Sequence, residues 1–191
     1  MNPLHNELLA TDEWRDNLVQ HVLPFAFGNL SVADLGDDVL EVGPGPGLTT
    51  DLLHPNLHKV TSIEIDPELA AKLAARLEGT NVEVVAADAT AMPFDDGRFS
   101  GAMTFTMFHH VPTVELQDQL MAEVARVLRP GGLLVANDSI ASEQLAGFHE
   151  DDIYNPIDPT TLEARLARAG FVDIDVRVNP HAWACHARRP A

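Results

Sequence analysis

The sequence predicts a doubly wound α/β fold, in which a mostly parallel sheet of seven strands carries helices on both faces. Short apolar strands alternate with segments of helical periodicity along most of the 191 residues, which is the pattern of strand–helix–strand units. The last two strands are separated only by Asn179-Pro180, a link too short for a helical crossover. These two strands are therefore expected to form an antiparallel hairpin at one edge of the sheet.

Each element has a local signal in the sequence. The first helix is predicted over residues 11–27, with Thr11 as its N-cap and apolar residues at helical spacing. Asp66-Pro67 opens a helix that Gly79 ends, and Gly170 ends the last one. The helices after the first are predicted over residues 48–53, 66–77, 113–128 and 160–169. The strands are predicted over residues 38–42, 59–65, 82–86, 99–105, 133–137, 171–178 and 182–187.

Composition restricts the class of protein. A single cysteine, Cys185, excludes an internal disulfide and a cysteine-based zinc site. No apolar run approaches the roughly 20 residues of a membrane span, and residues 1–10 lack a basic region. We therefore expect a soluble, cytoplasmic protein that does not bind membranes, either a monomer or a homodimer.

The charge distribution indicates which partners the protein can bind. The net charge is −17, from 29 acidic and 12 basic residues, which makes nucleic acid a poor partner because phosphate backbones are bound through Lys and Arg. No Lys or Arg lies between Arg15 and Lys59 or between Arg129 and Arg165. One interpretation is a generally acidic surface. The other is an acidic rim that favours neutral or cationic substrates.

A glycine-rich loop follows the first strand. Residues 39–47 read Val-Leu-Glu-Val-Gly-Pro-Gly-Pro-Gly and lead into a helix, an arrangement typical of a nucleotide-type cofactor cradle. The dinucleotide fingerprint G-x-G-x-x-G would need glycine where Leu48 stands. A nucleotide-binding oxidoreductase is therefore the less favoured interpretation.

Two acids follow later strands. Glu64 ends the second strand, where a carboxylate can hold the two hydroxyls of a ribose. Asp88 and Ala89 follow the third strand, and the carboxylate and backbone N–H there can pair with the edge of an adenine. The alternatives are a surface acid for Glu64 and a loop or capping residue for Asp88.

These segments together resemble the motifs of class I S-adenosylmethionine-dependent methyltransferases, which have a Rossmann-like fold. The resemblance rests on the glycine loop with Glu41, on Asp88-Ala89 followed by Met92-Pro93-Phe94, and on residues 128–132 (Leu-Arg-Pro-Gly-Gly) before a strand. It spans roughly residues 37–137. Ser100 departs from the pattern, because the family usually has Asp there.

The resemblance implies S-adenosyl-L-methionine as the cofactor and S-adenosyl-L-homocysteine as its product. The residues expected to bind the cofactor are Glu41, Gly43, Pro44, Gly45, Gly47, Glu64, Ile65, Asp88, Ala89 and Thr104. The length of the chain predicts a single domain over residues 1–191. That domain would comprise an N-terminal helical lid (1–35), a cofactor-binding core (36–138), a substrate-side loop (139–159) and a C-terminal helix with a hairpin (160–191).

Histidines are the candidates for catalysis. His109 and His110 follow the fourth strand, where an imidazole could take a proton from an acceptor; the alternative is a capping or lid-packing role. Weaker candidates on the substrate side are His149, Asp151, Asp152 and Tyr154. Trp14 either closes over the cofactor or packs in the core. His109, His110, Asp138 and His149 could be drawn as a metal site, but no close ligand spacing supports it, so no metal is expected.

The predicted function is transfer of a methyl group to an O or N atom of a small molecule, with alignment as the main contribution of the protein. A macromolecular acceptor would call for more surface or more basic charge. A catalytically silent protein that binds the cofactor as a regulator or subunit remains the alternative.

Overall fold

The computed structural model describes residues 11–150 and 152–191. In chain order the strands are β1 Asp38–Val42, β2 Lys59–Glu64, β3 Val82–Ala86, β4 Phe99–Phe105, β5 Leu128–Ser139, β6 Val172–Val178 and β7 Ala182–Arg188. The helices are α1 Asp12–Asn17, α2 Leu23–Phe27, α3 Leu48–Leu53, α4 Pro67–Arg76, α5 Val114–Val127, α6 Glu143–Phe148 and α7 Pro159–Arg168. Among the described residues no helix is long and apolar enough to cross a membrane.

The seven strands form one sheet in the order β3-β2-β1-β4-β5-β7-β6. Strands β1 to β5 pair in parallel, whereas β7 pairs antiparallel with both β5 and β6. The predicted fold class and the hairpin edge are therefore confirmed. The chain moves outward from β1 to β3 and returns to β4 on the other side of β1. The carboxyl ends of β1 and β4 thus border the crevice where doubly wound folds bind ligands.

Apolar residues are buried on both faces of the sheet. On one face, Leu120, Met121 and Val124 of α5 pack with Leu162 and Leu166 of α7 against the strands. On the other face the core contains Ala26, Phe27, Leu35, Val39, Leu53 and Leu57. Because β1 is covered on both sides, its buried run is nearly continuous rather than alternating.

The N-terminal helical segment differs from its prediction. In place of one helix over residues 11–27, a π-helical stretch over Leu18–Val22 separates α1 from α2. Pro24 follows this stretch, and a proline ring would clash with the carbonyl four residues earlier in a regular α-helix. The wider turn accommodates that ring. The predicted cap is present, since the Thr11 hydroxyl accepts a hydrogen bond from the Trp14 N–H at 3.1 Å.

Two elements extend beyond the sequence prediction. Strand β5 begins at Leu128, five residues earlier than predicted, and Leu128 is paired with Phe99 of β4. Helix α6 lies within the segment that was predicted as a loop. The Ser142 hydroxyl caps it by accepting a hydrogen bond from the Leu145 N–H at 3.2 Å. A helix of six residues is too short to leave a clear periodic pattern in the sequence.

Ser100 anchors the segment before β1. Its hydroxyl accepts a hydrogen bond from the Asp38 N–H at 2.9 Å and lies 2.9 Å from the Leu35 carbonyl, to which it can donate. A Cβ on Gly36 would lie 2.6 Å from the Ser100 oxygen, so this close approach requires glycine at position 36. The short serine side chain therefore joins β4 to the entry of β1.

Candidate active site

The glycine-rich loop lies at the carboxyl end of β1. Gly43, Gly45 and Gly47 have φ angles of 68°, 54° and 88°, which are in the left-handed region that favours glycine. A Cβ on Gly43 would lie 2.2 Å from the Cγ atom of Met107, whereas one on Gly45 would meet no atom within 4 Å. The loop is thus packed tightly against Met107 at one glycine and open at the next.

The carboxylate of Glu64 fixes this loop to the end of β2. Its Oε2 atom accepts a hydrogen bond from the Gly45 N–H, and its Oε1 atom accepts one from the Asp66 N–H, both at 3.0 Å. The residue is only 6% exposed. A carboxylate can accept more than two hydrogen bonds, so each oxygen retains capacity for a ligand hydroxyl.

Glu41 lies beneath the loop in β1. Its Oε2 atom accepts hydrogen bonds from the hydroxyls of Thr50 and Ser62, both at 2.7 Å. Burial raises the pKa of the Glu41 carboxyl, and the two hydroxyl hydrogen bonds offset only part of that effect.

A cavity of about 370 Å³ opens beside the loop, within the range of about 300–1,000 Å³ typical of small-molecule and cofactor sites. Of the residues singled out from the sequence, those that line it are Glu41, Gly43, Pro44, Gly45, Glu64, Ile65, Asp88, Ala89, His110, Trp14 and Asp152. The Ile65 side chain is 69% exposed. An exposed isoleucine at the mouth of a cavity offers an apolar surface for a planar ring.

Two of the residues expected to bind the cofactor lie outside this lining. Gly47 is the N-cap of α3, and a Cβ there would meet Leu73 and Arg76. Thr104 is buried inside β4, and the cavity is lined instead by the residues that follow it, Phe105 and Thr106.

Thr106 and Met107 were not singled out from the sequence, although they follow the end of a strand where ligands bind in such folds. Thr106 has a φ angle of 50°, a conformation that costs a non-glycine residue of order 1–3 kcal/mol and often occurs at functional sites. The position after β4 could have identified the pair, but nothing local predicts the backbone strain.

Asp88 caps a local turn and also lines the first cavity. Its Oδ1 atom accepts hydrogen bonds from the backbone N–H and the hydroxyl of Thr90, at 2.8 and 2.7 Å. This turn holds the carboxyl group at the cavity, with Ala89 beside it in the lining. A capping role and a place in the cavity wall are therefore compatible.

A second cavity, of about 350 Å³, adjoins the first. Trp14 and Thr106 line both cavities, which favours the lid position of Trp14 over the core. The other residues that line the second cavity are His109, Ser139, Ile140, Ser142, Gln144, Leu145, Phe148, His149, Pro180 and His181. Within the described parts of the chain, neither lining includes a lysine or an arginine.

Asp138 holds His109. The Nδ1 atom of His109 lies 2.6 Å from the Asp138 Oδ1 atom, and the His109 backbone N–H donates to the Asp138 Oδ2 atom at 2.9 Å. Burial is the largest influence on the imidazole and lowers its pKa. The charge and the hydrogen bond of Asp138 together outweigh burial, so the pKa of His109 is raised.

The structure brings His149 next to the consecutive residues His109 and His110. The His109 ring centroid lies 4.1 Å from that of His110 and 4.9 Å from that of His149. One ring nitrogen from each of the three lies within 4.8 Å of the others. Thus three of the four residues from which a metal site could be drawn are neighbours, although His149 is far from the other two in sequence. The fourth, Asp138, contacts His109.

Buried polar contacts hold the His109–His110 turn in place. The Gln117 side-chain amide on α5 donates to the carbonyl of Phe108 at 3.0 Å and to that of Asn155 at 2.7 Å. Arg165 of α7 in turn donates to the Gln117 side-chain oxygen at 2.9 Å. The turn after β4 and the segment that includes Asn155 are therefore joined through the interior.

The remaining substrate-side candidates lie at this end of the molecule. The Tyr154 ring stacks on His149 with a centroid distance of 4.8 Å, and its hydroxyl accepts a hydrogen bond from the Ser142 N–H at 3.1 Å. Asp152 lines the first cavity. Asp151 lies outside the described residues.

Comparison with known proteins places the chain among methyltransferases. A family model described as a methyltransferase domain matches residues 40–136, which is from β1 to β5. Over 124 residues the chain is 32% identical to phthiotriol/phenolphthiotriol dimycocerosates methyltransferase 1 of Mycobacterium ulcerans (strain Agy99), covering 64% of this chain and 45% of that protein. Over 154 residues it is 30% identical to the O-methyltransferase cnsE of Penicillium expansum, covering 74% and 54%. The chain thus spans about half the length of these curated relatives.

A solved structure shares the fold. Phosphoethanolamine N-methyltransferase 2 of Haemonchus contortus, in complex with S-adenosyl-L-methionine, superposes with a TM-score of 0.73 at 16% sequence identity. The superposition covers 93% of this chain and 53% of that one. At this identity the likeness shows the fold alone.

The raised pKa of Glu41 predicts a pH dependence of stability. The folded state holds the Glu41 proton more tightly than the unfolded state, in which the pKa is near 4.5. Stability contributed by this group therefore falls as the pH rises from about 4.5 through the folded pKa. Glu41→Gln cannot titrate, so its free energy of unfolding is expected to fall less over this range. Urea denaturation between about pH 4.5 and pH 8 measures the difference.

The matched control is Glu78→Gln, which makes the same chemical change at an exposed position. The free energy of unfolding of this variant is expected to change with pH as that of the wild type does. If the free energies of unfolding of Glu41→Gln and the wild type changed equally with pH, burial would not raise the pKa of Glu41.

Proposed function

Because the chain belongs to the class I S-adenosylmethionine-dependent methyltransferase family, we propose that it transfers a methyl group to an O or N atom of a small molecule. The predicted family is confirmed, and so is the cofactor that goes with it. The observation that carries the proposal is the glycine loop, which Glu64 fixes at the mouth of the first cavity.

The residues around the first cavity fit the cofactor. When bound, S-adenosylmethionine supplies a methyl group on a positively charged sulfur. Glu64 is proposed to accept hydrogen bonds from the ribose hydroxyls, and Ile65 to pack against the adenine ring. Asp88 and the Ala89 N–H are proposed to pair with the adenine edge. The open space at Gly45, where a Cβ would meet no atom within 4 Å, allows a ligand to approach the backbone.

The charges in the first cavity support this cofactor over a dinucleotide. Its lining contains the carboxyl groups of Glu41, Glu64, Asp66, Asp88 and Asp152, and no lysine or arginine among the described residues. A sulfonium is attracted by such a surface, whereas a pyrophosphate would be repelled by it. The less favoured oxidoreductase alternative also lacks its third glycine at Leu48.

The second cavity is proposed to hold the acceptor. Trp14 and Thr106 line both cavities, so a compound in the second would lie next to the cofactor in the first. Holding two reactants in line is the main way in which a protein accelerates such a displacement. The division expected from the sequence, with residues 1–35 as a lid and residues 139–159 as a substrate-side loop, stays part of this proposal.

The lining of the second cavity indicates the class of acceptor. Trp14, Ile140, Leu145 and Phe148 supply apolar surface, and histidine and serine side chains supply polar groups. This surface suits a compound with an apolar body. The proposal that the compound is neutral or cationic rests on the net charge of −17. The O-methyltransferase among the relatives supports a hydroxyl as the acceptor group. For such an acceptor, His110 at the first cavity and His109 at the second are the proposed general bases.

Glu64→Gln is expected to weaken S-adenosylmethionine binding by about 10-fold or more, because a hydrogen bond to a charged group contributes about 1.5–3 kcal/mol. Isothermal titration calorimetry measures the affinity. The matched control is Glu68→Gln, an exposed glutamate in the first turn of α4, which should bind as the wild type does. Equal affinity in the two variants, or wild-type binding of NADH without binding of S-adenosylmethionine, would contradict the proposed site.

Acceptor class can be tested with S-adenosylmethionine that carries a radiolabelled methyl group. In a panel of neutral, amine, carboxylate and phosphate compounds of similar size, label is expected in neutral or amine acceptors, because neither lining contains a lysine or an arginine among the described residues. A preference for carboxylates or phosphates would contradict the acidic rim. Cofactor binding without label in any compound would favour the catalytically silent alternative.

A further inference from the structure

We propose that His109, His110 and His149 form a binding site for a divalent transition-metal ion between the two cavities. One ring nitrogen from each residue lies within 4.8 Å of the other two. Three imidazoles are a ligand set that zinc and similar ions prefer. No metal is expected from the sequence, because no close ligand spacing supports a site there. The fold, however, brings His149 next to His109 and His110.

The hydrogen bonds of two rings orient them for metal binding. The Nδ1 atom of His109 lies 2.6 Å from the Asp138 carboxylate, and that of His149 lies 2.7 Å from the Leu145 carbonyl. Since both partners can only accept, each Nδ1 atom carries the hydrogen, and the neutral ring presents its lone pair on Nε2. Carboxylates and carbonyls hold metal-binding histidines in this way in many proteins.

The three ring nitrogens need to move only slightly closer together to bind one ion. In a tetrahedral zinc site with Zn–N bonds of about 2.0–2.1 Å, two ligand nitrogens are about 3.4 Å apart. Small movements of the three side chains would supply the remaining difference of about 1.4 Å. The Nε2 atoms of all three residues are buried, and burial shields a bound ion from competing water.

The surroundings favour a cation. Asp138 contacts His109 directly, and Asp152 also acts electrostatically on it. The cluster joins the two cavities, because His110 lines the first and His109 and His149 line the second. With three protein ligands, a tetrahedral ion keeps a fourth position for water or a substrate oxygen.

This position gives the ion a chemical role that rests on the proposed function. A hydroxyl group that binds a divalent ion ionises more readily. An acceptor held there would release its hydroxyl proton to solvent. Its oxygen would then form a bond to the methyl carbon while the carbon–sulfur bond of S-adenosylmethionine breaks, which leaves S-adenosyl-L-homocysteine. In the metal-bound protein the imidazoles would act as ligands, and a general base would not be required.

Zinc titration tests the site without any cofactor or acceptor. Protein without a polyhistidine tag is stripped with EDTA, dialysed and titrated with zinc chloride near pH 7.5, and cobalt chloride provides an absorption spectrum that reports the geometry. One zinc ion is expected per chain, with a tetrahedral cobalt spectrum. His149→Gln is expected to weaken zinc binding by on the order of 100-fold, and Asp138→Asn by about 10–100-fold.

His181→Gln is the matched control, because His181 lines the same cavity outside the cluster and its loss should leave zinc affinity unchanged. Circular dichroism checks that each variant is folded. Wild-type protein that binds no stoichiometric zinc, or a folded His149→Gln variant with wild-type affinity, would overturn the proposal. Titration with S-adenosylmethionine is independent of this result, so failure of the metal site and failure of the proposed function can be distinguished.

Discussion

The hydrogen bond from the Gly45 N–H to the Glu64 carboxylate, at 3.0 Å, is the contact on which the candidate site depends. It fixes the loop after β1 to the end of the neighbouring strand β2, and the same carboxylate accepts from the Asp66 N–H at the start of α4. A single buried acid thus sets the relative positions of the loop, a strand end and a helix start. The first cavity has its shape because these three meet there.

The charges of the cavity follow from the same arrangement. Parallel strands bring their carboxyl ends to one edge of the sheet, and in this chain acidic residues occupy several of those positions. Glu41 and Glu64 are buried there, at a cost in free energy that hydrogen bonds from serine, threonine and backbone groups reduce. Retaining buried acids beside a cavity favours a ligand with positive charge.

Many of the residues around the first cavity could be predicted from the sequence, because the sequence signals for them are local. A strand, a glycine run and an acid at the end of the next strand are adjacent in the chain, and the doubly wound fold determines where they meet. Most of the residues expected to bind the cofactor line the first cavity for this reason. Gly47 and Thr104 lie outside it, since a difference of one or two residues at a strand end decides which side chain faces the space.

The arrangement of the residues around the second cavity could not be predicted, because it depends on contacts between distant segments. His149, at the end of α6, contacts His109, and Gln117 joins the turn after β4 to the segment that includes Asn155. The positive φ angle of Thr106 and the place of Trp14 in both cavities also arise from tertiary packing. Sequence spacing carries no information about such arrangements.

The most direct test of the account is a crystal structure of the protein with S-adenosyl-L-homocysteine bound. The predicted result is a ribose within hydrogen-bond distance of the Glu64 carboxylate, with adenine between Ile65 and the Asp88-Ala89 turn. An empty first cavity at saturating ligand, or a ligand bound away from the glycine loop, would contradict it.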